Sequence, residues 1–92
     1  MIEGVTKSGF HYSLDEENLN DFEVVDAIAD IVSGQPSRLI LGLSTFMVKV
    51  LGTEGRAALY DHVRTDTGRV PTELIEKEIT EILVAGNEAV KK

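Results

Sequence analysis

Apolar and polar positions alternate near the start of the chain. Phe10, Tyr12 and Leu14 are separated by smaller or polar residues, which is the two-residue period of a half-buried β-strand. Gly9 precedes this segment and supplies the positive φ that a tight turn needs. We therefore predict a β-hairpin over residues 1–14. Because an isolated hairpin is only marginally stable in water, this one is expected to pack on helices or on another subunit.

The remainder of the chain has apolar residues at helical spacing, interrupted by Gly, Pro and turn residues. The pattern predicts four helices followed by a frayed tail. The helices are expected over residues 20–33, 37–51, 54–64 and 72–85, and the tail over residues 86–92. The predicted fold is therefore mainly α with a short N-terminal β-hairpin, an α+β arrangement in one small domain.

The first and the last predicted helices are amphipathic. Asn20 is a favoured N-cap for the first helix, Glu23 follows three residues later as in a capping box, and Gly34 is a natural stop. Its expected buried stripe consists of Val25, Ile28, Ala29 and Val32. The last helix is expected to begin after Pro71 and to break at Gly86 and Asn87. Its buried stripe consists of Ile75, Ile79, Ile82 and Leu83.

The second predicted helix, residues 37–51, is apolar on nearly all sides and has Gly52 as its stop. Such a helix is either central in a core or buried against a partner. Both explanations stay open, because a chain of 92 residues can hardly surround one helix completely. Under the second explanation, five of its side chains contribute to a groove for self-association or for a partner. They are Leu39, Leu43, Phe46, Met47 and Val50.

The formal net charge of −7 disfavours general binding to nucleic acid, because a polyanion repels phosphate backbones. The acidic residues are unevenly distributed. Between Ser8 and Ser37 there are seven of them and no Lys or Arg. They form either a solvated surface that keeps the protein soluble or a docking surface for a basic partner.

No arrangement of residues predicts catalysis or metal binding. The chain has no Cys, and its two histidines, His11 and His62, lack a second ligand at a recognised spacing. No glycine segment ends in the GK[ST] of a phosphate loop, and no motif places a His beside a hydroxyl. We therefore expect no catalytic residues, no cofactor and no metal, and we expect that the protein is not an enzyme.

The apolar segment of residues 39–51 is shorter than the about 20 apolar residues that span a bilayer. The N-terminus has no apolar run of signal-peptide length. We therefore expect a cytoplasmic protein that does not contact membranes.

Several short segments follow one another in a distinctive order. They are residues 4–10 (GVTKSGF), 14–17 (LDEE) leading into 21–29 (DFEVVDAIA), 51–54 (LGTE) and 62–71 (HVRTDTGRVP), followed by an acidic amphipathic C-terminal helix. In this order they resemble the small tail assembly chaperones of siphophages and prophages of Gram-positive bacteria. The resemblance extends over most of the chain.

The resemblance implies a protein without catalytic residues that binds the tape measure protein, a very long and largely helical phage protein. Such a chaperone keeps its client soluble while tail tube subunits assemble around it. Many family members are also made as a longer, frameshifted product whose additional C-terminal domain contacts the tail tube protein. This chain would correspond to the shorter form. Because members self-associate, a homo-oligomer in the cytoplasm of the host bacterium is expected.

The alternative function is a small acidic adaptor or inhibitor that binds a basic partner, for instance by mimicking DNA. The acidic residues before Ser37 motivate this alternative, and loss of binding at high salt would favour it. A third class is an uncharacterised enzyme, which no feature of the sequence indicates.

Overall fold

The structure, a computed structural model, describes residues 1–91, with side chains described for residues 1–86. An antiparallel hairpin of β1 (Ile2–Val5) and β2 (His11–Leu14) comes first. Five α-helices follow, and a π-helical segment, Met47–Leu51, joins the third to the fourth. They are α1 (Glu16–Leu19), α2 (Phe22–Ile31), α3 (Pro36–Phe46), α4 (Gly52–Val63) and α5 (Thr72–Lys91). The predicted fold class, a hairpin followed by four longer helices in an α+β domain, is confirmed.

The hairpin packs on the helices through Leu14, which is fully buried and pairs with Ile2 across the two strands. Gly9 lies in the turn with a φ of +96°, as the sequence predicts. Gly4 lies opposite Tyr12, whose ring covers it so closely that a Cβ there would collide with the Tyr12 hydroxyl. The hairpin is therefore part of the core rather than an appendage.

The N-terminus of α2 lies one residue later than predicted. Asp21, not Asn20, is the N-cap, and its carboxylate accepts a hydrogen bond of 2.9 Å from the backbone N–H of Glu23. Asn20 instead ends α1, a one-turn helix that the sequence pattern did not reveal and that Asp15 caps. Both Asn and Asp are good N-caps, so the choice depends on how the preceding turn ends.

The stripe that α2 buries also differs from the predicted one. Val24 and Ala27 are buried, whereas the predicted Val25, Ala29 and Val32 are exposed. The predicted Ile28 is half-buried against the core, as is Ile31. The helix has apolar residues at helical spacing on two sides, and its crossing with α3 selects between them. At that crossing, a Cβ added to Gly42 would lie 2.5 Å from the Ala27 carbonyl oxygen.

The second predicted helix is not one continuous α-helix. It begins at Pro36 and changes at Met47 to a π-helical turn. In a π-helix each backbone hydrogen bond joins residues that are five positions apart. The wider turn buries Met47 and Val50 while Lys49 stays at the surface edge. Gly52, with a φ of +76°, ends the segment as predicted, and α4 begins there rather than at residue 54.

The last helix continues past its predicted break. The α5 backbone runs from Thr72 to Lys91, so the structure has no break at Gly86 and the helix extends beyond the predicted residue 85. Fraying of the tail, residues 86–92, stays a prediction. A Cβ at Gly86 would lie 3.3 Å from a methyl group of Leu19 and 3.4 Å from one of Leu14, so the glycine lets α5 pack closely there. Lys92 lies outside the described residues.

All elements except β1 and α1 supply residues to a single apolar core, together with the hairpin turn. Its fully or nearly fully buried members are Phe10, Leu14, Val24, Ala27, Leu43, Phe46, Met47, Val50, Leu59, Ile75, Ile79 and Ile82. The predicted stripe of α5 is thus buried except for Leu83, which is half-buried against the core. Among the described residues, no helix is long and apolar enough to cross a membrane.

Candidate interaction surface

The five side chains predicted to form a groove are mostly in the core. Leu43, Phe46, Met47 and Val50 are buried, and only Leu39 is partly exposed. They are covered because β2, α1 and α5 pack against α3 and the π-helical segment. Of the two explanations for this apolar helix, the structure shows the central core. Their role in binding stays a prediction, and contact with a partner would require the surrounding elements to separate.

An aligned set of exposed apolar side chains lies instead on α2 and its C-cap residue, Val32. Phe22 is 76% exposed and Val32 is 73% exposed, and Val25 and Ala29 between them are also exposed. The four residues follow one another at steps of three, four and three, which places them on one side of the helix. We refer to Phe22, Val25, Ala29 and Val32 as the outer stripe. Single exposed apolar residues are normal on a protein surface, whereas an aligned set on one helix is a candidate interaction site.

A second exposed apolar set lies on α3 and the π-helical segment. Ile40, Leu41 and Val48 are each about half exposed. Ser44, also exposed, lies between them. This set is less exposed than the outer stripe and is interrupted by a polar residue. It provides a matched comparison for experiments on the outer stripe.

Two cations pair with the acidic residues of α2. Lys49 lies 2.9 Å from both Asp21 and Glu23, and Arg38 lies 2.9 Å from Asp30. The hydrogen bond from Lys49 lowers the pKa of Asp21, and the bond to Asp21, followed by that to Glu23, raises the pKa of Lys49. The two contacts of Lys49 join the start of α2 to the π-helical segment.

The remaining acidic residues before Ser37 differ in role. The Asp15 carboxylate accepts a hydrogen bond from the Glu17 backbone N–H and so caps α1. Glu16, Glu17 and Asp26 are exposed and have no ion pair among the described residues. Part of the acidic segment is therefore structural, and part of it is open to solvent.

A polar cluster joins the hairpin turn to α4 and α5. The Glu78 carboxylate is buried and accepts hydrogen bonds from the Thr6 and Ser8 hydroxyls at 2.6 and 2.9 Å. His62 Nε2 lies 2.9 Å from Ser8 Oγ, and the Lys7 N–H donates to the nearby Glu81. No local pattern in the sequence predicts this cluster, because its hydrogen-bonded members lie as far as 74 residues apart.

The order of contacts in this cluster differs from that of an activated serine. With an ionised Glu78, Ser8 donates its hydroxyl proton to the carboxylate, and its oxygen is then left to accept a proton from His62 Nε2. In a catalytic triad the histidine must accept the serine proton, and the acid must orient the histidine. Here the carboxylate contacts the serine instead. The arrangement ties the hairpin turn to α5.

The second histidine, His11, is exposed on β2. Among the described residues, no group of three or more His, Cys, Asp or Glu side chains is placed to hold a metal ion. Within the described residues, the outer stripe of α2 is the candidate interaction surface with the most exposed aligned apolar side chains, Phe22 and Val32. Comparison of the chain with protein-family models, curated proteins and solved structures finds no match.

Proposed function

We propose that this protein is a phage or prophage tail assembly chaperone that binds the tape measure protein and keeps it soluble during tail assembly. The proposal includes a non-catalytic role in the cytoplasm of the host bacterium. The observation on which it rests is the outer stripe of α2, an aligned apolar surface on a protein that is otherwise strongly acidic. The order of the segments that resemble this family supports it independently.

The physical requirements of such a chaperone are two. It must present apolar surface while empty, because the client segments that aggregate are apolar. It must also keep the complex soluble, which a net charge of −7 does by electrostatic repulsion between complexes. The outer stripe meets the first requirement. Glu16, Glu17 and Asp26, which have no ion pair among the described residues, serve the second.

The test is co-expression with the tape measure protein, the longest helix-rich protein encoded just downstream. We expect the long protein to be soluble and to co-purify with this chain, and to be insoluble when it is expressed alone. If the long protein is equally insoluble with and without this chain, the tape-measure client is wrong. Contact with the tail tube protein through a longer, frameshifted form, and self-association, are further parts of the proposal.

An acidic adaptor or inhibitor that binds a basic partner is a second candidate. Glu16, Glu17 and Asp26 favour it, because they are exposed carboxylates without ion pairs among the described residues. The two functions differ in their response to salt. Binding to a basic protein surface alone is lost at high salt, whereas binding through apolar contacts persists.

A further inference from the structure

The outer stripe of α2 is bordered along one edge by a row of carboxylates. Glu23, Asp26 and Asp30 follow one another at the same helical spacing as Phe22, Val25 and Ala29, one residue further along. On an α-helix with 3.6 residues per turn, Asp26 is about 40° around the axis from Phe22 and about 60° from Ala29. The apolar row and the acidic row therefore run side by side.

We propose that this surface docks one amphipathic helix whose apolar face is bordered by Lys or Arg residues. The outer stripe covers ten residue steps, from Phe22 to Val32, which corresponds to about 15 Å of helix and about three turns. A partner helix of similar length lays its apolar face on the stripe, as in other helix-in-groove complexes. Its basic residues then face the acidic row.

The charges on α2 determine which partner fits. Glu23 and Asp30 are each ion-paired at 2.9 Å, to Lys49 and Arg38, but Asp26 at the centre of the row has no ion pair among the described residues. The Glu23 side chain is 77% exposed in spite of its ion pair. A basic residue on the partner can therefore reach Asp26 directly and Glu23 in part.

The same charges argue against a second copy of this chain as the occupant. Two outer stripes packed on each other would bring two acidic rows together, in a protein whose net charge is already −7. Like charges brought together at an interface oppose association. Self-association is therefore expected to use another surface.

This inference rests on the proposed function for the source of the helix, which would be a segment of the tape measure protein. The probe that tests it is a synthetic helical peptide of about 20 residues with a leucine stripe bordered by Lys, since shorter helices are marginal in water. A second peptide has Glu in place of every Lys. Binding of both is measured by titration calorimetry at low and at high salt.

The protein variants remove three exposed apolar side chains each. One variant combines Phe22→Ser, Val25→Ser and Val32→Ser on the outer stripe. The matched control combines Ile40→Ser, Leu41→Ser and Val48→Ser on α3 and the π-helical segment, which are also exposed. Circular dichroism verifies that both variants fold. A third variant, Asp26→Asn, removes the central carboxylate alone.

We expect the Lys peptide to bind the wild-type protein and to bind the outer-stripe variant about tenfold more weakly or worse. The matched control should bind within about threefold of wild type, and Asp26→Asn should weaken binding at low salt only. Equal binding of the Glu peptide would overturn the charge argument. A larger loss in the matched control than in the outer-stripe variant would overturn the placement.

The outcome is distinguishable from that of the proposed function. If neither peptide binds but co-expression still keeps the tape measure protein soluble, the docking surface is wrong and the chaperone function stands. If the Lys peptide binds through the outer stripe but the client stays insoluble, the chaperone function fails and the helix comes from another basic partner. If the outer-stripe variant dissociates a dimer and binds no less peptide, the occupant is a second copy and the inference is wrong.

Discussion

At the scale of single residues, the buried Glu78 is the most demanding group in the structure. A carboxylate removed from water is costly unless hydrogen bonds replace its hydration. Glu78 receives such bonds from Thr6 and Ser8 on the hairpin turn. No described buried side-chain nitrogen or oxygen lacks a hydrogen-bond partner, so these hydrogen bonds offset the cost of removing Glu78 from water.

Thr6→Val keeps the shape of the Thr6 side chain but removes the 2.6 Å hydrogen bond to Glu78 and the acceptor for the Phe10 N–H. We expect the free energy of unfolding to fall by about 1–3 kcal/mol, the cost of leaving a buried polar group without its partner. Urea unfolding followed by circular dichroism measures the change. Thr67→Val in the exposed loop is the control, and it should stay within about 0.5 kcal/mol of wild type. Equal values for the two variants would mean that Glu78 is satisfied in another way.

At the scale of elements, the α2–α3 crossing depends on Gly42. An added Cβ would meet the Ala27 carbonyl oxygen at 2.5 Å and the Ile31 side chain at 3.0 Å. The backbone atom cannot rotate away, so the two helices would have to separate. Gly42→Ala is therefore expected to lower the free energy of unfolding by about 1–3 kcal/mol, as overpacking does.

Gly86→Ala is the matched control for Gly42→Ala, since both glycines lie inside helices. At Gly86 the new Cβ would meet side-chain methyl groups of Leu14 and Leu19, at 3.4 and 3.3 Å, and no backbone atom is among its nearest neighbours. Replacing Gly by Ala in a helix gains about 0.5–1 kcal/mol, so we expect this variant to be as stable as wild type or slightly more so. Thermal unfolding of the two variants distinguishes them. Similar melting temperatures would contradict the close crossing at Gly42.

The contacts of Lys49 make the attachment of α2 to the π-helical segment dependent on pH. The pKa of Asp21 is lowered from 3.8, so its stabilising contribution is present above that pH and is lost as the pH falls through the lowered value. The pKa of Lys49 is raised from 10.5, so its contribution is present below that pH and is lost as the pH rises through the raised value.

Lys49→Met is therefore expected to lower the melting temperature between these two limits. The difference from wild type should shrink at both the acidic and the alkaline end, and also at high salt, because the contact is exposed. Lys77→Met serves as control, because Lys77 has no ion pair among the described residues. A difference that does not change with pH would show that Lys49 acts through packing of its methylene chain instead.

The sequence predicts well which helices and strands form, and it predicts less well which side of each helix is buried. Local causes explain the hairpin and the four longer helices, namely alternating apolar residues in the strand and capping residues at the helices. The turn at Gly9 and the stop at Gly52 follow from their positive φ. The buried side of α2 has no local cause, because Val24 and Val25 both fall on apolar rows. The packing of α2 against α3 decides between them, and those contacts are made between different elements of the fold. The Thr6–Glu78 bond could not be foreseen for the same reason.

At the scale of the whole molecule, a domain of 92 residues has little stability to lose. The free energy of unfolding of natural proteins is about 5–15 kcal/mol. Replacing one buried Phe by Ala lowers it by about 3–5 kcal/mol. An experiment that seeks a binding surface by mutating the buried apolar residues of α3, such as Leu43 and Phe46, therefore risks unfolding the protein. Loss of client binding would then report stability rather than contact.

The two phenylalanines Phe46 and Phe22 separate these effects. Phe46 is 0% exposed and Phe22 is 76% exposed, although both are apolar residues in helices. We expect Phe46→Ala to lower the free energy of unfolding by about 3–5 kcal/mol and Phe22→Ala to change it by no more than about 0.5 kcal/mol. Urea unfolding gives the stabilities, and co-purification with the tape measure protein gives the binding. A folded Phe22→Ala protein that retains less client would place the contact on the outer stripe, because stability is unchanged. If instead Phe46→Ala stays fully stable and loses the client, the groove predicted around α3 regains its basis, because a residue that does not stabilise the core must act through the partner.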